Sequence, residues 1–242
     1  MKIGVQIGAA ISLFFLTSCG TFLYHPVTPK SPCLKAKNDF CGEFNICVAG
    51  FQTYAAYSPL KYIGVSTAIA MDRYPKDTVK LIPEKRFQDC EISLIPYYPY
   101  REMCFKMPFG MGVYSFTTSR NRLHTNTLYT RQYIQPTFSF RYACLDLSAY
   151  LRITRLKYTN VVYGVDMRYE PGFMACIGTD KVKFIISQSL DFGTNHSALR
   201  SSHLALEDQL LYFPFYSSVG VQFSLNFNKS KPIGQGLQNL VF

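Results

Sequence analysis

Apolar and polar side chains alternate along most of the chain from Glu43 onward, which is the period of a β-strand and not of a helix. The clearest case lies between Phe213 and Phe227. One face of that stretch carries Phe213, Phe215, Val219, Val221, Phe223, Leu225 and Phe227, and the other carries Tyr216, Ser218, Gly220, Gln222, Ser224 and Asn226. The alternation recurs near 63–69, 103–116, 129–142, 145–153 and 182–189. The pattern predicts an all-β protein.

Ten strands are predicted, at 43–49, 53–58, 62–70, 88–98, 103–116, 127–142, 145–158, 172–178, 182–190 and 213–228. Short turns are expected near Pro59, Pro99, Ala143 and Thr179. Longer connections are expected at 71–87, 117–126, 159–171 and 191–212. This alternation of short and long connections is typical of an antiparallel up-and-down β-barrel of the outer-membrane kind, with both chain ends on the short-turn side. Eight strands is the alternative count, if 53–58 and 172–178 are not strands.

Three prolines lie inside predicted strands, namely Pro96, Pro108 and Pro136. Each lacks the N–H that a strand donates to its neighbour, so we expect bulges or strand ends at these positions.

Alternation alone does not say which face points inward, because a soluble lipocalin-like barrel would bury the apolar face. Two features favour the opposite orientation. Several strands exceed the usual length of about five or six residues and reach the nine to eleven or so that cross a bilayer at a tilt. Their polar faces are rich in Gly, Ser, Thr and Asn, as suits a narrow, filled interior. The sequence therefore predicts a transmembrane β-barrel.

The start of the chain has the layout of a secretory signal, with Lys2 followed by an uncharged, mostly apolar run to Leu16. The sequence Leu-Thr-Ser-Cys at 16–19 resembles a bacterial lipobox, which implies cleavage before Cys19 and lipid on its thiol. An ordinary signal peptide or a buried N-terminal helix are the alternatives. We expect a signal peptide at 1–18, a lipidated Pro-containing tether at 19–42, the barrel at 43–228 and a C-terminal tail at 229–242.

No acidic residue follows Cys19 closely. In bacterial lipoproteins this favours the inner leaflet of the outer membrane, so both chain termini are expected in the periplasm. The expected partner is therefore outer-membrane lipid, contacted through the barrel and the acyl anchor.

Composition adds three points. The chain is 48% hydrophobic, with no apolar run of about 18 residues beyond the signal, which excludes a bundle of membrane helices. It has 18 Tyr and 20 Phe but no Trp, and Tyr97, Tyr98 and Tyr100 are expected to form an aromatic girdle. The basic residues behind the net charge of +10 are scattered along the chain. This favours solvated surface positions or contacts with lipopolysaccharide phosphate, including at the basic segment 72–86, over a nucleic-acid interface. Other envelope proteins are a further possible class of partner.

Eight cysteines are present, and seven remain if Cys19 carries lipid. These are Cys33, Cys41, Cys47, Cys90, Cys104, Cys144 and Cys176. No CxxC spacing occurs, so neither a zinc site nor a thioredoxin-like motif is indicated. We expect mostly free, buried thiols.

Charged residues on the polar strand faces are candidates for a network inside the barrel. They comprise three acids and five bases: Glu43, Glu91, Asp146, Lys106, Arg131, Arg141, Arg152 and Lys183. A salt-bridged plug is one interpretation, and a narrow anion-selective path is the other.

Catalysis would require loop residues. His196 with Asp191, or His203 with Glu207 and Asp208, could form a base and its orienting carboxylate, with Ser201 or Ser202 as nucleophile. No GxSxG, HExxH or paired-Asp motif supports this. We expect no enzyme activity, catalytic residue, metal or cofactor.

The mature chain resembles Bacteroidetes-type outer-membrane β-barrel lipoproteins of uncharacterised role. The resemblance rests on the lipobox and tether, on GEFNICVAGFQTYAAYSPLKYIGVSTAIA at 42–70 and on VGVQFSLNF at 219–227. It implies a small barrel and supplies no catalytic residues. The expected role is structural, or accessory in a cell-envelope complex. A small pore or a barrel that binds lipid or lipopolysaccharide is the alternative, and a surface hydrolase is a third reading.

Overall fold

The computed structural model describes residues 34–47, 50–74, 84–120, 123–159, 165–193 and 215–227. These residues form thirteen antiparallel strands and no helix, so they include no helix long and apolar enough to cross a membrane. The strands are β1 Asp39–Cys47, β2 Gly50–Leu60, β3 Ile63–Tyr74, β4 Glu84–Tyr100, β5 Met103–Lys106, β6 Phe109–Arg120, β7 Leu123–Ile134, β8 Thr137–Tyr142, β9 Leu145–Tyr158, β10 Val165–Gly178, β11 Val182–Leu190, β12 Phe192–Gly193 and β13 Phe215–Asn226. The all-β prediction is confirmed.

The thirteen strands make ten staves, where a stave is one continuous crossing of the barrel wall. β5 and β6 share one register along β4, with Lys106 opposite Tyr97 and Phe109 opposite Leu94. β8 and β7 share one register along β9, and β12 continues the register of β11 along β10. β13 pairs with β1 and closes the ring. The structure is a closed antiparallel barrel of ten staves, which confirms the predicted architecture and removes the eight-strand alternative.

The three prolines inside predicted strands produce no bulge, but two of them mark strand ends, as expected. Pro108 separates β5 from β6 and Pro136 separates β7 from β8, whereas Pro96 lies within β4. Their carbonyls still accept ladder bonds: Met107 N donates to Pro96 O at 3.0 Å and Gln135 N donates to Pro108 O at 2.9 Å. Only the return bond is missing, so the register continues. The irregularity among the first strands lies between Tyr57 and Leu60 instead.

The cross-strand registers fix the slope of the staves. Successive paired residues from Glu43 on β1 to β10 are Tyr54, Ala68, Glu91, Gly112, Arg131, Leu156 and Asp166. Eight residues further along β10, Met174 leads through Ser187 and Ser218 to Cys47, four residues beyond Glu43. The eight-residue step along β10 and the four-residue difference on β1 add together, because β10 runs antiparallel to β1. The register offset around the closed barrel is therefore twelve residues for ten staves. That geometry tilts the staves by about 40° from the barrel axis.

Large apolar side chains cover the outside of this barrel, whereas the inside holds polar and charged side chains together with a smaller set of apolar ones. On β4, Ile92 is 62% exposed and Leu94 is 48% exposed, whereas Glu91 and Ser93, which alternate with them along the strand, are buried. The other staves repeat this arrangement, with outward Phe, Ile, Val, Leu and Met. The barrel is thus the inverse of a soluble barrel.

The two ends of the barrel differ in their connections. At the tight-turn end, two or three residues join neighbouring staves, at 61–62, 101–102, 143–144 and 179–181. Tyr62, Arg101 and Ala143 adopt positive φ in these turns, where a non-glycine residue is uncommon. At the other end, the loop end, longer stretches separate β3 from β4 and β12 from β13. The expectation of a long connection at 117–126 is wrong, because β6 and β7 pair up to Arg120 and Leu123.

The segment before β1 packs into the tight-turn end. β1 begins at Asp39, four residues before the predicted start of the barrel. Just before it, Leu34 is buried inside the mouth and packs in an apolar cluster. The Asp39 carboxylate accepts bonds from the backbone N of Lys35 and of Ala36, both at 2.7 Å, and holds this turn in place. The predicted signal peptide, most of the tether and the tail lie outside the described residues.

Candidate functional site

The eight predicted charged residues all lie on the interior side of the wall. Six are buried: Glu43, Glu91, Lys106, Arg131, Arg152 and Lys183. The other two, Arg141 and Asp146, are partly exposed near the tight-turn end. Their ion pairs and hydrogen bonds described below lie in groups at different heights of the interior.

The central group is built around Glu91 on β4. Arg131 Nη2 donates to Asp89 Oδ2 at 2.6 Å and also contacts Glu91 Oε2, which Arg152 Nη2 approaches at 2.9 Å. The Arg152 guanidinium lies over the ring of Tyr133, 3.9 Å from its centroid. One carboxylate therefore holds two guanidinium groups from β7 and β9. Asp89 was missed by the sequence analysis, although its position two residues before Glu91 puts it on the same face.

Gly112 makes the central contact possible. In the cross-strand row it lies between Glu91 and Arg131. A Cβ atom at Gly112 would lie 2.8 Å from the carbonyl oxygen of Cys90 and 3.1 Å from Cβ of Glu91. Because no side chain stands there, the Arg131 side chain crosses β6 and reaches the carboxylate on β4.

A second group lies nearer the loop end, around Arg168 on β10. Its Nε donates to Asp166 Oδ2 at 2.7 Å and its Nη1 donates to Asp191 Oδ2 at 3.1 Å. Gly193 lies directly opposite, and its missing side chain leaves room for the guanidinium. On the same strand Glu170 accepts a bond from Thr154 Oγ1 at 3.1 Å. The sequence analysis missed this group because it assigned 159–171 to a loop.

A third group spans the tight-turn mouth. Arg141 binds Asp146 with two bonds, of 2.6 and 2.8 Å, and reaches Asp180 Oδ1 at 2.9 Å. Lys183 also contacts Asp146, and Lys35 from the N-terminal segment lies 3.4 Å from Asp180. These contacts connect β8, β9, the β10–β11 turn and the segment before β1.

Two further predicted residues bind uncharged partners. Lys106 Nζ donates to Ser139 Oγ at 3.3 Å. Glu43 accepts a bond of 2.5 Å from the side-chain amide of Gln222, which joins β1 to β13 across the closing seam.

Apolar layers fill the interior between and around these groups. Near the tight-turn end the cluster comprises Leu34, Cys41, Tyr54, Ala56, Ala68, Ile95 and Tyr97. Towards the loop end the rings of Tyr114 and Tyr129 stack with centroids 4.3 Å apart beside Ala70 and Leu156. Burial of a charge is costly unless it is paired, so the ion pairs and these layers together define a packed interior.

Tyr97 does not join the predicted girdle. Its side chain is buried in the interior and its hydroxyl lies 2.7 Å from Ser58 Oγ, whereas Tyr98 and Tyr100 are outward and exposed. Strand alternation explains the correction, because three nearly consecutive residues cannot share one face.

The cysteines within the described residues are all free thiols. Cys41 and Cys176 are buried, but Cys90 and Cys144 are exposed, so the expectation of burial is wrong for these two. Over the same residues no group of three or more His, Cys, Asp or Glu could hold a metal ion. Cys19, Cys33, His196 and His203 lie outside the described residues. Asp191, one suggested partner for His196, binds Arg168.

No protein-family model matches the chain, and no curated protein matches it in sequence.

Proposed function

We propose that this chain is a bacterial outer-membrane β-barrel lipoprotein with a filled interior, of the Bacteroidetes type, which serves a structural or accessory role in a cell-envelope complex and is not catalytic. One observation carries the proposal. A continuous belt of exposed apolar side chains surrounds an interior of buried, paired charges. An apolar surface of that extent on a monomer needs an apolar partner, and lipid can cover the whole circumference.

The height of the belt suits a bilayer. At a tilt of about 40°, each residue contributes about 2.5 Å of height, so ten residues cover about 25 Å. On β9 the outward residues are apolar from Leu145 to Ile153, which corresponds to about 23 Å of height at this tilt, and the next two, Arg155 and Lys157, are basic and exposed. Exposed Tyr62, Tyr98, Tyr100 and Tyr142 lie at the tight-turn end, where amphipathic rings suit a membrane interface.

The position of the chain ends supports a lipid anchor. Asp39 pairs with Asn226, so the N-terminal segment and the end of β13 meet at the tight-turn end. Short turns face the periplasm in outer-membrane barrels. An acyl chain on Cys19 would therefore lie in the inner leaflet, on the same side as the segment that leads into β1. The lipobox-like sequence at 16–19 and the layout shared with Bacteroidetes lipoproteins support the same location.

A filled interior favours a structural role over a pore. The guanidinium groups of Arg131, Arg152 and Arg168 are almost fully buried, and each lies among its partners and not along an open channel. Recording from the purified full-length protein in planar bilayers tests this directly. We expect no steady conductance. A stable single-channel current would favour the alternative of a small pore.

Site-directed spin labelling tests the membrane location. Labels at Phe109, Met111 and Val113, all outward on β6, are introduced one at a time into the chain in lipid vesicles. Oxygen concentrates in lipid and a polar nickel complex in water, so we expect strong relaxation by oxygen and weak relaxation by nickel at all three. A label at the exposed turn residue Lys181 is the control and should respond to nickel. Nickel access along β6 would indicate a water-facing surface and contradict the proposal.

Mass spectrometry of the mature N-terminal peptide tests the anchor. We expect acyl mass on Cys19, and its loss in Cys19→Ser. An unmodified Cys19, or cleavage elsewhere, would contradict a lipoprotein.

A further inference from the structure

We propose that the cavity inside the tight-turn mouth binds a small amphipathic anion, with a carboxylate head and a short apolar tail. The cavity has a volume of about 360 Å³ and lies between the N-terminal segment, the β4–β5 turn and the adjoining ends of β4, β5, β8, β9 and β10. Met103 and Phe140, whose side chains are exposed on the outer face, also border it. The mouths of β-barrels are frequent ligand sites, and this volume falls at the small end of the usual range. The inference goes beyond the structural role and rests on the cavity itself.

The charges of the lining select an anion. Four cationic residues line the cavity, Lys35, Arg101, Lys106 and Arg141, against the two acidic residues Glu102 and Asp146. Asp180 at the rim pairs with Arg141 and Lys35 and offsets part of this positive charge. The excess of positive charge is concentrated in a partly enclosed space, where electrostatic interactions are stronger than in open water.

Hydrogen-bond donors line the inner wall. Lys106 Nζ donates to Ser139 Oγ at 3.3 Å, and Ser148 Oγ donates to the same oxygen at 2.9 Å. Lys106 is only 4% exposed, so its ammonium is held by the wall and does not extend into bulk solvent. An ammonium beside two hydroxyl groups is suited to a carboxylate, which can accept from several donors at once.

The remaining lining is apolar. Leu34, Pro99, Cys104 and Cys176 border the same space. Leu34 belongs to the segment that leads from the predicted lipid anchor, so one wall of the site is supplied by that segment. An inorganic anion would leave this apolar wall unused, whereas a short alkyl tail would cover it.

Alkylation of Cys104 in detergent tests the charge selectivity. The full-length protein is treated in parallel with anionic iodoacetate and neutral iodoacetamide, and peptide mass spectrometry gives the two rates at Cys104. Their ratio cancels the intrinsic reactivity of the thiol, and the ratio at exposed Cys144 normalises the two reagents. We expect the normalised ratio to favour iodoacetate by about threefold or more, because the lining concentrates anions. A ratio near one would overturn the proposal.

Lys106→Met should lower that ratio towards one. Because Lys106 is buried and its loss could affect folding, Arg101→Asn provides a second test in an exposed turn, where asparagine tolerates the positive φ of this position. Lys61→Met, in the exposed β2–β3 turn outside the cavity, is the matched control and should leave the ratio unchanged. An equal fall of the normalised ratio in all three variants would indicate a general effect of protein charge and would contradict an anion site in the cavity.

Protection of Cys104 against iodoacetamide tests the ligand class. The probes are hexanoate, hexanol and inorganic phosphate at equal concentration and ionic strength. We expect hexanoate to slow alkylation several-fold in the wild type and in Lys61→Met but not in Arg101→Asn. If hexanol protects Cys104 as strongly as hexanoate does, the carboxylate of the ligand does not contribute to binding, and the proposed anion selectivity is wrong. Equal protection by phosphate would remove the role of the tail, and no protection by any probe would overturn the proposal.

Discussion

Two layers of the barrel interior are equally buried but stabilised by different physics. The mouth layer, around Leu34, is apolar and its members can shift slightly without losing their favourable burial. The central layer, around Glu91, consists of charges whose stability depends on particular distances and angles. A barrel with its apolar face outward obtains little hydrophobic stabilisation from its centre. It can therefore hold charges there, at the cost of a strict geometry.

Removing the shared carboxylate should have the largest effect. Glu91→Gln leaves the guanidinium groups of Arg131 and Arg152 buried with less negative charge, and loss of one member of a buried ion pair costs about 3–5 kcal/mol. We expect the free energy of unfolding by urea in micelles, followed by circular dichroism, to fall by about that amount. Glu102→Gln, in an exposed turn, should change it by less than about 0.5 kcal/mol. Similar effects of the two substitutions would contradict the distinct role of the central layer.

The mouth layer should respond less strongly. Leu34→Ala removes an apolar side chain that is 1% exposed, and we expect a loss of about 2–3 kcal/mol in the same assay. Lys35→Ala, the adjacent and exposed residue, is the control and should cost less than about 1 kcal/mol. If Leu34→Ala has no effect on unfolding, the N-terminal segment does not stabilise the barrel.

Two glycines compare the tolerance of the layers directly. Gly112→Ala places Cβ 2.8 Å from a backbone oxygen, which cannot move easily, so we expect a loss of about 2 kcal/mol. Gly64→Ala places Cβ 2.4 Å from Cδ1 of Leu34, the end of a flexible side chain, and should cost less than about 1 kcal/mol.

The Gly64→Ala cost should also shrink when combined with Leu34→Ala, because the atom it approaches is gone. If the losses of unfolding free energy from the two substitutions are purely additive, Gly64→Ala is accommodated without a shift of the Leu34 side chain.

The rim should be the least sensitive region. Asp180 is 83% exposed in its side chain, and its contacts with Arg141 and Lys35 are screened by water. We expect Asp180→Asn to change the unfolding free energy by no more than about 1 kcal/mol, and the change to disappear at high salt. A larger effect that persists in 1 M or so of salt would mean that the rim behaves like the buried centre.

The architecture could be predicted because apolar and polar side chains alternate along every part of a strand that has one face against an apolar environment. It fades near the loop end, where both faces of the strands carry polar residues. The run Thr117, Thr118, Ser119 has no apolar face, so the paired β6–β7 extension was assigned to a connection. In β10 the alternation of Val165, Met167 and Tyr169 with charged residues is present, although the predicted strand began only at residue 172.

The interior geometry was only partly accessible from the sequence. The polar faces pointed to Glu91 and Arg131 as inward residues, because orientation follows from strand parity. That these two meet depends on the register of three strands and on the absence of a side chain at Gly112. Neither follows from a local pattern. The burial of Leu34 was likewise hidden, since nothing in a Pro-containing segment marks one leucine as part of the interior.

The seam between β1 and β13 joins segments almost at opposite ends of the polypeptide, Asp39 to Asn226. Without β13 the sheet cannot close, and an open sheet has two edges of unpaired N–H and C=O groups. Such edges invite pairing with other chains, and contacts so distant in sequence form slowly. Pairing of β13 with β1 therefore removes the two edges at which copies of this chain could associate.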